Sequence, residues 1–326
     1  MDKIRVGILR GGVGTQYEIS LASGAEALCH IDTEKYKLVD IFVDREGNWY
    51  AGGLRLSVEK LQHTADVFLN FLHGETGENG KLKNLFENLS LFHTGSDALA
   101  SSIALNKRLA KERFEVLGIL TPKYFVASRD YEYQDVFELA QKLAKETWQK
   151  LSPPWVLKPL RGGSSVGVRV AKTFDELVYR LYDILHEYDE VLVEEYIEGD
   201  EIFVNMIDGF RGKENYISIP MLIQNNSQIF NHKERVTGDY NLQPYTNLHN
   251  TKKEEILNII QKVRDDLGLK DFYSMDFIDT PKGIYLLEVD SHPATDTNSP
   301  MKKSMEHHGI SARELLGHMI ERVQGK

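Results

Sequence analysis

The sequence of 326 residues has a single cysteine, Cys29, so it cannot form a disulfide bond within the chain. It has no apolar run long enough to cross a bilayer, no internal repeat and no low-complexity segment. Its start, MDKIRVGILRGG, lacks the pattern of a signal peptide and is typical of a first strand. We therefore predict a protein of the reducing cytoplasm, with no membrane partner. Cys29 falls in a helical pattern, and we expect a small buried side chain rather than a nucleophile.

Positive charge is scarce as well. The chain has 39 Lys and Arg against 49 Asp and Glu, a formal net charge of −10 at pH 7. This balance argues against a general binder of nucleic acid or of anionic membrane surfaces, but it leaves room for a local basic pocket. The composition, 41% hydrophobic and 27% charged, is that of a globular protein, and the length suits two or three domains.

The most informative stretch is DFYSMDFIDTPKGIYLLEVDSHPATDTNSP, residues 271–300. It predicts two strands joined by the turn TPKG. Because side chains alternate along a strand, Glu288 and Asp290 share one face, and Asp276 joins them from the paired strand. Like charges facing one another across a sheet are destabilising, so the cluster implies a cation; oxygen ligands of this kind suit Mg²⁺ held together with nucleotide phosphates. The alternative is a solvated acidic hairpin. The apolar face is predicted to consist of Met275, Phe277, Leu287 and Val289.

Two glycine-rich loops near the start each follow a predicted strand. The strand at 4–9 leads into RGGVG and then a helical pattern, and the strand at 67–73 leads into HGETGENG. Strands alternating with helices predict a parallel sheet, and ligands bind beyond the carboxyl ends of such strands. His73 and Glu78 are therefore candidate site residues. The alternative is a loop histidine and a glutamate near a helix start.

A third glycine-rich loop, RGGSSVG at 161–167, lies between two short predicted strands. A Walker-type loop opens a helix and carries its lysine at the end, whereas here Lys158 precedes the loop. The pattern favours a flexible hairpin that covers a triphosphate with backbone N–H groups and the hydroxyls of Ser164 and Ser165, with Lys158 as a point charge. The alternative is a mobile surface hairpin.

Glutamates also end an apolar strand, VLVEEY at 191–196. They indicate a polar partner such as an adenine amine or a ribose diol. The polar stretch 224–248 has no periodicity, and so long a loop is often a functional lid. Other predicted elements are strands at 38–43, 203–208 and 216–223 and helices at 101–117, 137–148, 174–187, 253–267 and 311–323.

Several different short motifs follow one another along the chain. They are Gly11-Gly12 with EISLASG, LHG with GENG (Asn79 included), TGS at 94–96, Asn106-Lys107, Lys158-Pro159, GSSVG, EEYI with Gly199 and Glu201, and Asp276 with EVD. In this order and spacing they make the whole chain resemble the D-alanine–D-alanine ligase family of the ATP-grasp superfamily. The nucleotide half matches best.

The resemblance implies an α/β fold of the ATP-grasp type. An N-terminal parallel α/β domain, 1–100, precedes a central subdomain with the glycine-rich loop, 101–190, and a C-terminal subdomain with the metal-binding hairpin, 191–326; the last two clamp the nucleotide. It also implies an ATP-dependent ligase of peptidoglycan biosynthesis. ATP phosphorylates the carboxylate of one small amino acid, and the amine of a second attacks the acyl phosphate. A homodimer is implied as well.

The resemblance further assigns roles to residues. Lys107 and Lys158 contact phosphates, Ser164 and the main chain around it cover the transferred group, and Ser165 joins the nucleotide-binding residues. His73 joins the catalytic residues. By the same similarity Glu194, Glu195, Tyr196 and Ile197 frame the adenine, Glu201 meets the ribose, and Asp276, Glu288 and Asp290 hold two Mg²⁺ ions.

The substrate half departs from the family pattern. Gln16 stands where the family has a glutamate that reads an ammonium group, and Ser274 where it has an arginine at the reacting centre. Losing such a donor commonly costs a few kcal/mol of transition-state stabilisation, unless Arg235 or Lys302 substitutes or the substrate differs. Further departures are Pro293-Ala294 for Pro-Gly, Asp290 for a metal-site asparagine, and His232 and Arg235 at the lid's usual tyrosine and lysine. Two alternatives stay open: a ligase for other amino acids in specialised metabolism, and a nucleotide-binding protein that no longer catalyses.

Overall fold

The computed structural model describes residues 3–74, 76–78, 80–225 and 229–325. Asn79 of the GENG motif and residues 226–228 of the predicted lid lie outside the described residues. Among the helices that are described, none is long and apolar enough to span a bilayer.

The first part of the chain forms a five-stranded sheet in the order β4-β3-β2-β1-β5. Its elements are β1 (Ile4–Gly11), α1 (Tyr17–His30), β2 (Tyr36–Val43), β3 (Trp49–Ala51), β4 (Leu54–Leu56) and β5 (Val67–Asn70). Strand β1 is parallel to β2 and β5, as the alternation of strands and helices predicted. The short β3 and β4 add an antiparallel edge that the sequence interpretation missed.

Helix α1 buries the face that carries Ile19, Ser23 and Ala27. Its Gly24 lies against β1, since a Cβ there would come within 2.5 Å of the Cβ of Arg10. Cys29 lies on the other side of the helix and is exposed, so the prediction that it is buried was wrong.

The helix predicted at 101–117 is two helices. After α2 (Lys81–Asn88), the chain forms α3 (Ala98–Leu105) and α4 (Lys107–Val116). Asn106 separates them with extended backbone angles, φ −91° and ψ 100°, and caps α4 by accepting a hydrogen bond from the Leu109 N–H at 3.2 Å. The break makes Lys107 the first residue of α4.

A second, antiparallel sheet has the order β6-β9-β7-β8. Its part of the chain contains β6 (Tyr124–Ser128), α5 (Val136–Lys150), β7 (Trp155–Pro159), β8 (Arg169–Ala171), α6 (Phe174–Glu187) and β9 (Glu190–Glu195). Helices α5 and α6 pack on it around a core that includes Trp155, Leu157 and Leu181.

The third sheet has the order β13-β12-β10-β14-β15, with β11 also paired to β10. The elements are β10 (Asp200–Asp208), β11 (Asn215–Ile217), β12 (Met221–Gln224), α7 (His232–Thr237), β13 (Asn241–Pro244), α8 (Asn250–Leu267), β14 (Phe272–Thr280), β15 (Gly283–Asp290), α9 (Pro300–His307) and α10 (Ala312–Gln324). The strand predicted at 216–223 is two strands, and the stretch predicted as an unstructured lid contains α7 and β13.

The first and third sheets share one apolar core. Val6 of β1 and Leu69 of β5 belong to the same buried cluster as Phe203 of β10, Phe272 of β14 and Ile320 of α10. This shared core brings the glycine-rich loops that follow β1 and β5 towards the β14–β15 hairpin.

Candidate active site

One cavity collects most of the residues that the sequence pointed to. All of the predicted catalytic, nucleotide and metal residues line it except Gln16 and His73. The lining set is Lys107, Lys158, Ser164, Ser165, Glu194, Glu195, Tyr196, Ile197, Glu201, Arg235, Ser274, Asp276, Glu288 and Asp290. The cavity is thus bounded by the second and third sheets and by the glycine-rich loop.

The acidic hairpin forms as predicted, with one local difference. Asp276 of β14 lies directly opposite Glu288 of β15. The register then shifts, so that Phe277 pairs with Leu286 rather than with the next residue in order. Leu287 is the extra residue of this bulge and lines the cavity, whereas we predicted it in the core. Met275, Phe277, Leu286 and Val289 are the core residues of the hairpin.

The carboxyl groups of the cavity repel one another. Burial and the charges of Glu288 and Glu201 raise the pKa of Asp276 well above its usual value. Burial and the charge of Glu78 raise the pKa of Asp290 to about 7, and burial raises that of Glu201 to about 7. Such uncompensated negative charge fits a cation.

The described part of the chain holds no preassembled metal cage. Within it, no three His, Cys, Asp or Glu side chains lie close enough together to hold a metal ion. The hairpin carboxylates therefore fit a cation that takes further oxygen ligands from a bound molecule, as Mg²⁺ does with nucleotide phosphates.

Glu194 is buried between two lysines. Its Oε1 lies 2.6 Å from Lys111 Nζ, and its Oε2 lies 2.7 Å from Lys158 Nζ. Burial raises the pKa of Glu194, but the two ammonium charges outweigh it and hold that pKa at about 2. For Lys158, the attraction of Glu194 outweighs burial, so the pKa of this lysine is raised. For Lys111, burial outweighs the same attraction, so its pKa is lowered. The Glu194 side chain therefore fixes Lys158 in the cavity wall.

Lys107 joins the glycine-rich loop to the hairpin. Its Nζ donates a hydrogen bond to the Gly162 carbonyl and lies 3.8 Å from Glu288 Oε2. Its backbone N–H donates to the Leu160 carbonyl at 3.1 Å. The start of α4 is thereby held against the loop, which the break at Asn106 makes possible.

The glycine-rich loop lies against helix α7. Ser164 and Ser165 both have left-handed backbone angles, φ 55° and 54°, which are uncommon for residues other than glycine. The Ser164 carbonyl lies 2.9 Å from His232 Nδ1, at the start of α7. The loop and the helix thus meet across the cavity.

Of the two cations named as substitutes for the missing arginine, only Arg235 faces the cavity. Its guanidinium is buried and pairs with Asp296, with Nη2 to Oδ2 at 2.9 Å. Lys302 Nζ instead lies 3.2 Å from Glu26 Oε2 on α1, and Lys302 is not among the described residues that line the cavity.

Gln16 and His73 line a second cavity, which shares Gly162 with the first. Gln16 is buried, and its side-chain amide would lie 3.4 Å from a Cβ at either Gly74 or Gly163. The loops that follow β1 and β5 and the glycine-rich loop at 161–167 therefore meet at Gln16.

Glu78 organises the loop that carries His73. Its Oε1 accepts a hydrogen bond from the Gly74 N–H at 2.6 Å and lies 3.8 Å from His73 Nδ1. Its charge also raises the pKa of Asp290. The loop after β5 therefore lies beside the carboxylate face of the hairpin.

Sequence reasoning missed two residues of this region. Lys111 follows Lys107 by four positions on α4, the spacing that brings side chains to one helix face. His292 follows Asp290 by two positions and is buried, with its ring centroid 5.1 Å from that of His73. In the sequence, only their short spacing from Lys107 and Asp290 indicated that they could belong to the site.

Comparison with known proteins agrees with this geometry. The family model described as D-ala D-ala ligase C-terminus matches residues 114–321. The D-alanine–D-alanine ligase of Aquifex aeolicus is 29% identical over 325 residues, covering 97% of this chain and 100% of the relative.

Two solved structures share the fold. D-alanyl-alanine synthetase A from Vibrio cholerae superimposes with a TM-score of 0.83 at 23% identity, over 100% of both chains. The D-alanine–D-alanine ligase from Bacillus anthracis complexed with ATP gives 0.77 at 24% identity, covering 98% of this chain and 97% of the other.

Proposed function

The chain belongs to the D-alanine–D-alanine ligase family, and from that premise we propose that it joins two small amino acids in an ATP-dependent reaction of peptidoglycan synthesis. ATP phosphorylates the carboxylate of the first amino acid, and the amine of the second displaces phosphate to form the C–N bond. One observation carries the proposal: two lysines, a glycine-rich loop and three carboxylates of one hairpin face line a single cavity. Phosphoryl transfer needs this positioning and charge neutralisation rather than a protein nucleophile.

We infer that the cavity binds ATP, because the chain belongs to an ATP-dependent family and because two lysines of the cavity could pair with the phosphates. Lys107 and Lys158 would hold its phosphates, with Ser164 and Ser165 above them. Glu195, Tyr196 and Ile197 would frame the adenine, and Glu201 would meet the ribose. We assign Glu194 a different task, since its carboxylate is occupied by Lys158 and Lys111.

Mg²⁺ fits the carboxylate face of the hairpin. Asp276, Glu288 and Asp290 would hold two ions together with phosphate oxygens, and the ions would supply neutralisation of the phosphate charge. The raised pKa values of Asp276 and Asp290 support this, because a cation would relieve the repulsion that raises them.

Two positions that carry charged side chains in the family pattern, and that would contact the amino acids, are uncharged in this chain. Gln16 and Ser274 are neutral, and Arg235 is the cation that remains on that side. His73, beside Glu78, completes the set of catalytic candidates. We propose that Arg235 takes over the role of the missing arginine towards the acyl phosphate.

A ligase for other amino acids is the second candidate, and Gln16 and Ser274 are the observation that favours it. A neutral amide reads an ammonium group less strongly than a carboxylate does, because a charge-assisted hydrogen bond is about twice as strong as a neutral one. A protein that only binds nucleotide is not favoured, because it has less need of three carboxylates lining the same cavity.

The test is a screen for ADP release with ATP and Mg²⁺ over D- and L-amino acids, singly and in pairs, with the products identified by mass spectrometry. D-alanyl-D-alanine as the main product supports the first proposal. A different dipeptide supports the second. ADP release with no pair of amino acids would refute both.

Three further proposals rest on the family. The chain works as an N-terminal domain and two subdomains with limits near residues 100 and 190; β9 at Glu190–Glu195 pairs with β6 and β7, which favours a limit after that strand. It acts in the cytoplasm. It is a homodimer, which light scattering of the purified protein tests.

A further inference from the structure

Asp296 is a buried carboxylate in the turn that leads from the hairpin to helix α9. Its Oδ1 accepts a hydrogen bond from the Asn298 N–H at 3.1 Å. Its carbonyl accepts one from Ser299 Oγ at 2.7 Å, and Ser299 in turn caps α9. Asp296 is therefore held in one position by its own turn.

The partner of Asp296 comes from helix α7. Arg235 donates from Nη2 to Oδ2 at 2.9 Å and from Nη1 to Oδ1 at 3.4 Å, and both side chains are almost fully buried. A two-point contact between a guanidinium and a carboxylate fixes the plane of the guanidinium as well as its distance. The orientation of Arg235 in the cavity wall thus depends on Asp296.

Arg235 is one of three cations among the described residues that line the cavity. Among the described lining residues the other cations are Lys107, bonded to the Gly162 carbonyl, and Lys158, bonded to Glu194. Arg235 is instead paired with Asp296, in the segment whose residues Pro293, Ala294, Pro300 and Met301 also line the cavity.

The same contact ties α7 to the body of the molecule. At its first residue α7 meets the loop through His232 and Ser164. At its far end the Asn298 side chain donates to the Val236 carbonyl at 2.7 Å. Between these two hydrogen bonds, the Arg235–Asp296 pair adds a charged and buried contact to the attachment of the helix.

We propose that Asp296 is a positioning residue for the ligase reaction. It orients Arg235 towards the acyl phosphate and keeps α7 seated over it, which excludes water. This inference rests on the proposed function. Without the carboxylate charge, water reaches the acyl carbon and its oxygen forms the new C–O bond. The C–O bond to phosphate breaks, and the phosphate leaves with the electron pair and takes up one proton of the water. Free amino acid, phosphate and ADP then leave, and no dipeptide forms.

Asp296→Asn is the first variant, because it keeps the shape and an acceptor for the Asn298 N–H but loses the charge. Two quantities are measured: the ratio of ADP to dipeptide, and amide hydrogen exchange of residues 233–238 without substrates. We expect the ratio to rise several-fold above that of the unmodified protein and exchange in α7 to become several-fold faster. A merely structural role would lower ADP and dipeptide together and leave their ratio unchanged.

Arg235→Lys is the second variant, and it changes the other member of the Arg235–Asp296 pair. It keeps the charge but cannot make the two-point contact, so exchange in α7 should again become faster. The matched control is Glu314→Gln, which removes the charge from the Arg211–Glu314 pair at 2.8 Å; neither residue is among the described residues that line the cavity. The control should change neither the ratio nor the exchange of α7.

Unchanged exchange of α7 in both Asp296→Asn and Arg235→Lys would overturn the inference, as would an unchanged product ratio in Asp296→Asn. The exchange measurement needs no substrate. If the unmodified protein makes no dipeptide at all, the proposed function fails, while faster exchange of α7 would still support the attachment by Asp296.

Discussion

Replacing Glu194 by glutamine removes the one negative charge between two buried lysines. Glu194 and Lys111 are each 1% exposed, so water cannot replace the lost partner. Removing one member of a buried ion pair is strongly destabilising, because the remaining charge is left uncompensated. We therefore expect Glu194→Gln to be one of the most destabilising single-charge changes in the chain.

The magnitude follows from the pKa of Glu194. It lies at about 2 in the fold against a usual 4.5, and each pKa unit corresponds to about 1.36 kcal/mol. After the opposing effect of burial is included, the fold thus stabilises the charged carboxylate by about 3 kcal/mol. Because the pKa is lowered, this stability is present above pH 4.5 and is lost as the pH falls towards 2. The net benefit of the three charges is smaller, since burial of Lys111 outweighs its attraction to Glu194.

The assay is denaturant unfolding at pH 7.5 followed by tryptophan fluorescence. Trp155 is fully buried on β7, and Trp148 packs against it with ring centroids 5.5 Å apart. Two of the three tryptophans therefore report on the sheet that holds Glu194. We expect Glu194→Gln to lower the free energy of unfolding by about 3 kcal/mol.

Glu195→Gln is the matched control. This neighbour is only half-buried and accepts a hydrogen bond from the Lys123 N–H at 3.0 Å, which an amide oxygen can also accept. Its loss should stay below about 1 kcal/mol. Adding Lys111→Met to Glu194→Gln should restore part of the stability, because one uncompensated charge is removed. If Glu194→Gln and Glu195→Gln unfold at the same denaturant concentration, the reasoning is refuted.

Further predictions concern catalysis. Lys158→Ala and Lys107→Ala should each raise the KM for ATP about tenfold, since a contact to a charged group is worth roughly 1.5–3 kcal/mol; unchanged steady-state kinetics in both would make them structural lysines. Glu288→Gln should abolish ADP release without changing the unfolding midpoint, and ADP formation like that of the unmodified protein at limiting Mg²⁺ would contradict the metal assignment. The pKa values of Glu201 and Asp290 are both raised to about 7, so without metal the contribution of these two groups to stability is lost as the pH rises through about 7. The rise in melting temperature caused by Mg²⁺ and ADP should therefore be larger at pH 8 than at pH 6, and an equal rise would count against it. We expect weak D-alanyl-D-alanine synthesis with a high KM for the first D-alanine, improved by Gln16→Glu together with Ser274→Arg; efficient synthesis by the unmodified protein would show that the departures are compensated, with Arg235 the candidate cation.

Local patterns determined much of the fold and part of the site. The turn TPKG and the alternation of its flanking residues set the hairpin, so Asp276 could be placed on the face of Glu288 and Asp290, and it does lie opposite Glu288. Helix α6 was predicted with its observed bounds, because helical periodicity is a local signal. Alternating strands and helices predicted the parallel pairing of β1 with β2 and β5 for the same reason.

Three features of the fold, at Leu287, Asn106 and Cys29, did not follow from local sequence patterns. The bulge at Leu287 reverses the alternation of the hairpin, and no signal within the strand marked it. The break at Asn106 coincides with a backbone bridge to Arg161 in a distant loop, which no local pattern encodes. The exposure of Cys29 follows from which face of α1 meets β1, and periodicity alone did not decide that.

The sequence by itself determined which residue types are present and which short segments fold as strands, helices and turns, because those depend on neighbours within a few positions. Tertiary structure alone decided the partners of the charges: Lys111 and Lys158 for Glu194, Asp296 for Arg235, and Glu26 for Lys302. These pairs join residues from 36 to 276 positions apart. Their energy depends on distance and burial in three dimensions, which spacing along the chain does not encode.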